Sequence, residues 1–166
     1  AEFGARSLGN RSIICNPNKL ENIKKINETV KNRDFWMPFA ATIIDKYAPK
    51  YFKIKKTNLK NYDYMTNCVE TFSNSREKLV AAIHSYDKTC RPQILTKKNN
   101  HFYYKIIEEF GKQSGIYSLL NTSLNTHGNP IINNEMQAID MLKKTNLDAI
   151  IIGDYLVEKK IKTNFR

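Results

Sequence analysis

The sequence predicts an α/β (α+β) fold, a mixed twisted sheet with helices packed on it. Three observations point there. Apolar runs of strand length recur along the whole chain, whereas strands alternate with clear helical patterns only in the second half. The run "LDAIIIG" (147–153) is continuously apolar, as in a strand buried on both faces. The chain has 166 residues, 41% of them hydrophobic and 11% aromatic, which suits one domain with its own core.

Asn18 with Glu21 three residues later reads as a capping box, and Leu20, Ile23, Ile26 and Val30 follow at helical spacing, so a helix is expected over 19–32. "WMPFAATII" (36–44) reads as a strand with Pro38 at its edge. The Lys/Asn-rich residues 53–62 read as a loop. Strands are expected over 63–70, 78–84 and 91–96. Residues 100–113 read as a helix with Phe102, Ile106, Ile107 and Phe110 inward, followed by a buried strand over 115–121. Asn134 and Gln137 form a second capping box, opening a helix to about 145 with Met136, Ile139 and Leu142 inward.

Several classes are excluded. No apolar run approaches the roughly 20 residues of a membrane span, and no basic region precedes an apolar stretch at the N-terminus, so neither a membrane partner nor a signal peptide is expected. Cys15, Cys68 and Cys90 are odd in number and widely spaced, which argues against a disulfide framework or a CxxC clamp and suits a reducing cytoplasm. A net charge of +11 favours anionic partners, although "KYFKIKKTNLK" (50–60) and "EKKIKTNFR" (158–166) equally suit a solvated surface. The chain opens on "AEFGARSLGNRS" rather than Met, and we expect it to be an excised C-terminal part of a larger protein.

Four polar clusters stand out. "GARSLGNRS" (4–12) places Gly4, Arg6, Gly9 and Arg11 in a loop suited to anions, or simply in a loop; it is neither a Walker loop nor a dinucleotide fingerprint. Lys31 and Arg33 follow the first helix, where the helix dipole alone favours cations. In "HSYDKTCRPQ" (84–93), a hairpin tip follows His84, and Arg91 and Gln93 share one face if they lie in one strand. The fourth is "LLNTSLNTHGNPI" (119–131), in which Asn121, Ser123 and Asn125 leave a strand end. Strand ends in α/β sheets hold ligands, while an Asn/Ser/Thr turn is the plainer alternative. A triad of Ser123, His84 and Asp87 has no support from spacing, and His84, His101 and His127 match no metal-ligand pattern, so no metal site is expected.

Taken in order, "EFGARSLGNRSI", "VKNRDFWMPFA", "AAIHSYDKTCRPQ", "LLNTSLNTHGNPI" and "LDAIIIGDYLV" resemble the C-terminal domain of the NodU/CmcH-type O-carbamoyltransferases over nearly the whole chain. The resemblance implies a YrdC-like fold that uses ATP, Mg²⁺ and carbamoyl phosphate to form carbamoyl adenylate. It also implies an N-terminal actin-like ATPase-type domain, carrying an iron-binding HxxxH site, that receives an acceptor hydroxyl on a sugar, antibiotic or glycan. On that likeness Lys31, Arg91 and Ser123 are the catalytic candidates. Arg6, Arg11, Arg33, His84, Gln93, Asn121 and Asn125 are the candidates for binding the nucleotide and carbamoyl phosphate. Arginine forks and a lysine point charge offset the repulsion between two phosphorylated substrates.

The chain departs from the family pattern in three places: Met37 stands for an Arg, Lys88 for a Gly and Asn129 for a Glu. Loss of one arginine removes a charge-assisted contact, about 1.5–3 kcal/mol. Two other readings fit the composition: a basic nucleic-acid module, which should bind with a steep salt dependence, and a non-catalytic partner domain.

Overall fold

The computed structural model describes residues 8–34 and 37–159. Its elements are β1 (Ser12–Cys15), α1 (Leu20–Ile26), β2 (Ala40–Ile44), α2 (Ala48–Tyr51), β3 (Val69–Glu70), β4 (Thr89–Cys90), β5 (Gln93–Leu95), α3 (His101–Ser114), β6 (Ser118–Ser123), α4 (Glu135–Lys144), β7 (Ala149–Ile152) and β8 (Tyr155–Glu158). A π-helical turn, Asn27–Lys31, continues α1.

The central sheet has the order β1-β6-β2-β5. Strand β6 runs antiparallel to both neighbours, and β2 runs parallel to β5, so the sheet is mixed and the fold is α+β as expected. Two small antiparallel pairs, β3–β4 and β7–β8, lie apart from it. Alternation along the strands divides the side chains between two faces. On one face Ile44, Leu95 and Leu119 pack under Tyr103, Tyr104 and Ile107 of α3. On the other, Ile13 and Leu120 meet Ile26, Val30, Met141 and Leu142, while Ala41, Ile43 and Ile94 meet Tyr51, Phe52 and Leu79. All of β2 is therefore buried, which is why "AATII" carries no alternation.

Two helices start as local chemistry dictates. Asn100 Oδ1 accepts from the Tyr103 N–H at 2.9 Å, and Asn134 Oδ1 accepts from the Gln137 N–H at 2.9 Å. Gln137 returns its own carbonyl to the Asn133 N–H, one residue before the cap.

Other expectations are corrected. The Asn18 box does not form. Helix α1 begins after Lys19 with no side-chain cap, because Asn16 Oδ1 takes the Asn18 N–H in a local turn. Leu20, Phe102 and Met136 face solvent; in α3 the inward positions pass to Tyr103, Tyr104, Ile107 and Gly111, and in α4 to Ala138, Met141 and Leu142. Residues 53–62, expected as loop, include the 3₁₀ helix Lys56–Tyr62. The expected strand over 63–70 shrinks to β3, and 78–84 forms a 3₁₀ turn and bends. Its apolar residues Leu79, Ala81, Ala82 and Ile83 are buried without pairing into a sheet. Strand β1 was not among the expected elements; it starts at Ser12, the last residue of the expected 4–12 loop. Strand β7 is not buried on both faces: among the described residues it pairs only with β8, and Ile151 is 50% exposed. The expected strand over 36–44 begins at Ala40; Met37 and Pro38 precede it and Trp36 lies outside the described residues.

Candidate functional site

The polar burst after Leu120 is a hub for side chains from distant segments. Lys31, at the end of the π-helical turn and 4% exposed, sends its ammonium to four acceptors on one short stretch. These are the Ser123 carbonyl at 2.6 Å, Ser123 Oγ at 3.1 Å, the Asn125 carbonyl at 2.9 Å and Asn125 Oδ1 at 2.6 Å. Ser123 Oγ in turn donates to Asn125 Oδ1 at 2.6 Å, and Asn125 Nδ2 donates to the Asn129 carbonyl at 2.7 Å. The serine hydroxyl thus accepts from a cation and donates to an amide. That arrangement suits holding a shape or donating onward and does not activate a nucleophile, which needs an adjacent base.

The local fold explains how Lys31 gets there. The extra residue of the π turn closes with the Asn32 N–H bonded to the Asn27 carbonyl at 2.7 Å, and Asn32 takes a left-handed φ of 41°. Asn27 then clasps the next residue: its Nδ2 donates to the Arg33 carbonyl at 2.7 Å, and its Oδ1 accepts from the Arg33 N–H at 2.8 Å. Lys31 is turned into the loop while Arg33 is turned along β6. There the Arg33 guanidinium donates to Thr122 Oγ1 at 3.3 Å and stacks 4.8 Å from the centre of the Phe39 ring. Arg11 fastens the other side, donating to the Ile132 carbonyl at 2.9 Å, while the Leu124 N–H bonds the Arg11 carbonyl at 3.0 Å.

Asn121 lies one repeat back along β6, on the same face as Ser123. Its Nδ2 donates to Thr42 Oγ1 and to Gln93 Oε1, each at 2.9 Å, and Thr42 Oγ1 donates to Gln93 Oε1 at 2.9 Å. Three neighbouring strands so share one buried polar row.

The structure brings some of the candidate residues together and keeps others apart. Lys31, Ser123 and Asn125 meet directly, Arg33 and Arg11 flank them, and Asn121 meets Gln93. Arg91 and Gln93 do not share a strand face: Arg91 precedes β5 and is exposed, whereas Gln93 is fully buried within it. His84 belongs to its own turn, 3.2 Å from Asp87 Oδ1, and its backbone bonds Thr89 and Lys88. The Asp87 carboxyl is held below its usual range, first by the Thr89 N–H at 2.9 Å and the Thr89 hydroxyl at 2.7 Å. Lys88 occupies a left-handed φ of 59°, a conformation that glycine adopts without strain. Arg6 and Gly4 lie outside the described residues. Among the described residues no group of three or more His, Cys, Asp or Glu comes together.

Sequence reasoning missed Thr42, Asn27, Asn100 and Tyr103. Thr42 carried a signal, since a hydroxyl inside "AATII" must find a partner once buried. Asn100 is both a cap and a tie: its Nδ2 donates to the Leu8 carbonyl at 3.0 Å, holding the first glycine-bearing loop against α3. Gly9 has φ +94°, and a Cβ there would lie 2.4 Å from the Tyr103 ring, so this loop is laid flat on the tyrosine.

Fold and site define a small α+β domain that gathers Lys31, Arg33 and Arg11 around the end of a central strand. The family model described as "Carbamoyltransferase C-terminus" matches residues 1–159, and the chain belongs to that family. It is 42% identical, over 95% of its length and 29% of the relative, to an uncharacterized protein, MJ1051, of Methanocaldococcus jannaschii. It is 34% identical over 96% of its length to nodulation protein NolNO of Sinorhizobium fredii, covering 23% of that protein. The same identity and coverage hold for nodulation protein NolO of Bradyrhizobium diazoefficiens, of which it covers 29%. The chain therefore spans less than a third of the length of these relatives.

Proposed function

We propose that this domain forms carbamoyl adenylate from carbamoyl phosphate and Mg-ATP for an O-carbamoyltransferase, the acceptor hydroxyl being received by the rest of a longer polypeptide. Membership of the family supports carbamoyl transfer in general. The observation that carries the finer reading is the Lys31 clasp, which folds the Ser123–Asn125 stretch into a rigid, positively polarised floor flanked by Arg33 and Arg11. Two phosphorylated substrates repel one another, and attack at the α-phosphorus requires that their charge be offset by groups already in place. In this reading Arg33 and the exposed Arg91 meet phosphate oxygens directly. Lys31 acts one step back, holding Ser123 and Asn125 in position while adding its charge beneath them. Magnesium bound with ATP would neutralise further phosphate charge.

Calorimetric titration with Mg-ATP, with and without carbamoyl phosphate, tests the reading. Saturable binding that is strengthened or made reactive by carbamoyl phosphate is expected. It should weaken at least tenfold in Arg91→Ala and Arg33→Ala, the loss of one charge-assisted contact. Binding by the unaltered chain with the same affinity in both variants would remove the residue assignment. No saturation at millimolar ATP would remove the nucleotide reading for this chain.

A further inference from the structure

The two edges of the central sheet are finished differently. At one end β5 is wholly buried, with the 3₁₀ helix Lys56–Tyr62 against it. At the other end β1 has no strand on its outer side among the described residues. The Leu124 N–H bonds the Arg11 carbonyl, so the ladder turns the backbone of Ile13 and Cys15 towards β6 and that of Ile14 outwards. Neither the N–H nor the C=O of Ile14 has a hydrogen-bond partner among the described residues. The strand "SIIC" also carries none of the charges, prolines or bulges that blunt an exposed edge.

The open edge lines a groove of about 540 Å³. Helix α1 forms one wall through Lys25 and Ile26, and the start of α3 forms another through Phe102 and Ile106. The two helices pack on opposite faces of the sheet, so the gap between them is where a further strand would continue it. Strands β7 and β8 add Ile151 and Leu156. Phe102 is 60%, Ile151 50% and Leu156 64% exposed, so three large apolar side chains rim one groove. Among the described residues the charged side chains that line it are Lys25 and Asp148, which pair at 2.6 Å. In a chain of net charge +11 this groove is therefore neutral and does not select an anion. It suits a partner with backbone groups to pair and apolar side chains to bury, as in strand addition to a sheet edge.

We propose that β1 accepts, as a fifth strand of the sheet, an extended, uncharged, apolar segment from the part of a longer polypeptide that lies outside these 166 residues. This rests on the longer polypeptide of the proposed function and on neither ATP nor carbamoyl phosphate binding. The source is argued from tethering. The family model is that of a C-terminus, the relatives are more than three times as long as the part matched, and the lead-in to β1 passes Gly9, which lines the same groove. A segment of the same polypeptide is thereby held beside the edge at high effective concentration.

Residue-resolved hydrogen exchange at Ile14 is compared in the 166-residue chain and in the full polypeptide that contains it, each at two protein concentrations. Ile151→Asp and Leu156→Asp are introduced singly into the longer form; both positions are exposed, and the Ile13 amide, paired with β6, reports that the sheet stays intact. The Ile14 amide should exchange about a hundredfold more slowly in the longer form, and either aspartate should restore about tenfold of that rate while Ile13 remains slow. Equal exchange at Ile14 in both forms overturns the proposal. Slow exchange in the 166-residue chain that quickens on dilution shows that a second copy holds the edge, and overturns it. Slow exchange there that ignores dilution shows the edge closed from within, and overturns it too. Protection in the longer form that neither aspartate relieves places the covering segment away from this groove, with the same consequence. Failure of the ATP and carbamoyl phosphate titrations leaves this result standing, and loss of Ile14 protection leaves those titrations unchanged.

Discussion

Lys31 and Asn125 stand 94 residues apart in sequence, yet Nζ and Oδ1 meet at 2.6 Å. The ammonium is buried and the acceptors around it are oxygens of the half-buried Ser123 and Asn125, so removing it takes the shared donor from all four. Lys31→Met should destabilise the domain by about 1.5–3 kcal/mol, the scale for losing hydrogen bonds to a charged group. Lys31→Arg should not restore it, because a planar fork does not fit acceptors arranged around a point charge. Urea unfolding of the three proteins checks both statements.

Asn27 tests whether the turn itself matters. Asn27→Ala removes both bonds to the Arg33 backbone and should cost about 1–2 kcal/mol. Because the turn directs Lys31 and Arg33 in opposite senses, it should also weaken Mg-ATP binding. Asn27→Asp keeps the acceptor for the Arg33 N–H and loses the donor, and should fall between the two in chemical denaturation.

Gly111 inverts a helix rule. In an exposed helix interior, Gly→Ala gains about 1 kcal/mol. Here a Cβ would lie 2.2 Å from the Tyr117 ring, which stacks on Tyr47 with ring centres 3.6 Å apart. Gly111→Ala should therefore lower the melting temperature and perturb the near-ultraviolet circular dichroism of the tyrosines. A gain in stability would mean that the stacked pair moves aside without loss.

The Asp87 turn sets a pH dependence. Its folded carboxyl is depressed mainly by the Thr89 N–H and hydroxyl, so the stabilisation is fully present above the ordinary carboxylate range and is lost as pH falls through the depressed value. The stability difference between the unaltered chain and Asp87→Asn should be constant near neutral pH and shrink in acid. A difference that grew on acidification would contradict the assignment.

The thiols should differ in reactivity. Burial pushes Cys15 and Cys90 up to about 12, whereas Cys68 is exposed. The thiolate is the reactive form. Mass spectrometry after brief iodoacetamide treatment at neutral pH should find the label on Cys68, with Cys15 and Cys90 labelled only after unfolding.

The sequence was legible wherever periodicity or a local cap decided the outcome. Strands β2, β5 and β6, helix α3 by its periodicity and helix α4 with its cap at Asn134 follow from such signals. It misled where an apolar run is buried by loops instead of paired. Leu79 to Ile83 reads like a strand because burial, not hydrogen bonding, sets its composition. Strand β1 escaped notice because its four residues follow a loop and only Ile13 is fully buried. At the site, Lys31, Ser123, Asn121 and Gln93 were visible as residue types. Their partnerships were not, since they join segments whose distance in sequence says nothing of distance in space. Thr42 and Tyr103 were hidden among apolar neighbours for the same reason.

The topology of the central sheet also bears on how the site comes into being during synthesis. Strand β6 is the inner strand on which both β1 and β2 pair, and it carries Asn121 and Ser123. Until it has left the ribosome, β2 and β5 can pair with each other, but Lys31 lacks its acceptors at Ser123 and Asn125 and Thr42 and Gln93 lack Asn121. Closing such long loops is slow, and proteins dominated by non-local pairing fold late and cooperatively. A nascent chain truncated before β6 should hold neither half of the site, so binding competence should arrive in one step, together with the fold.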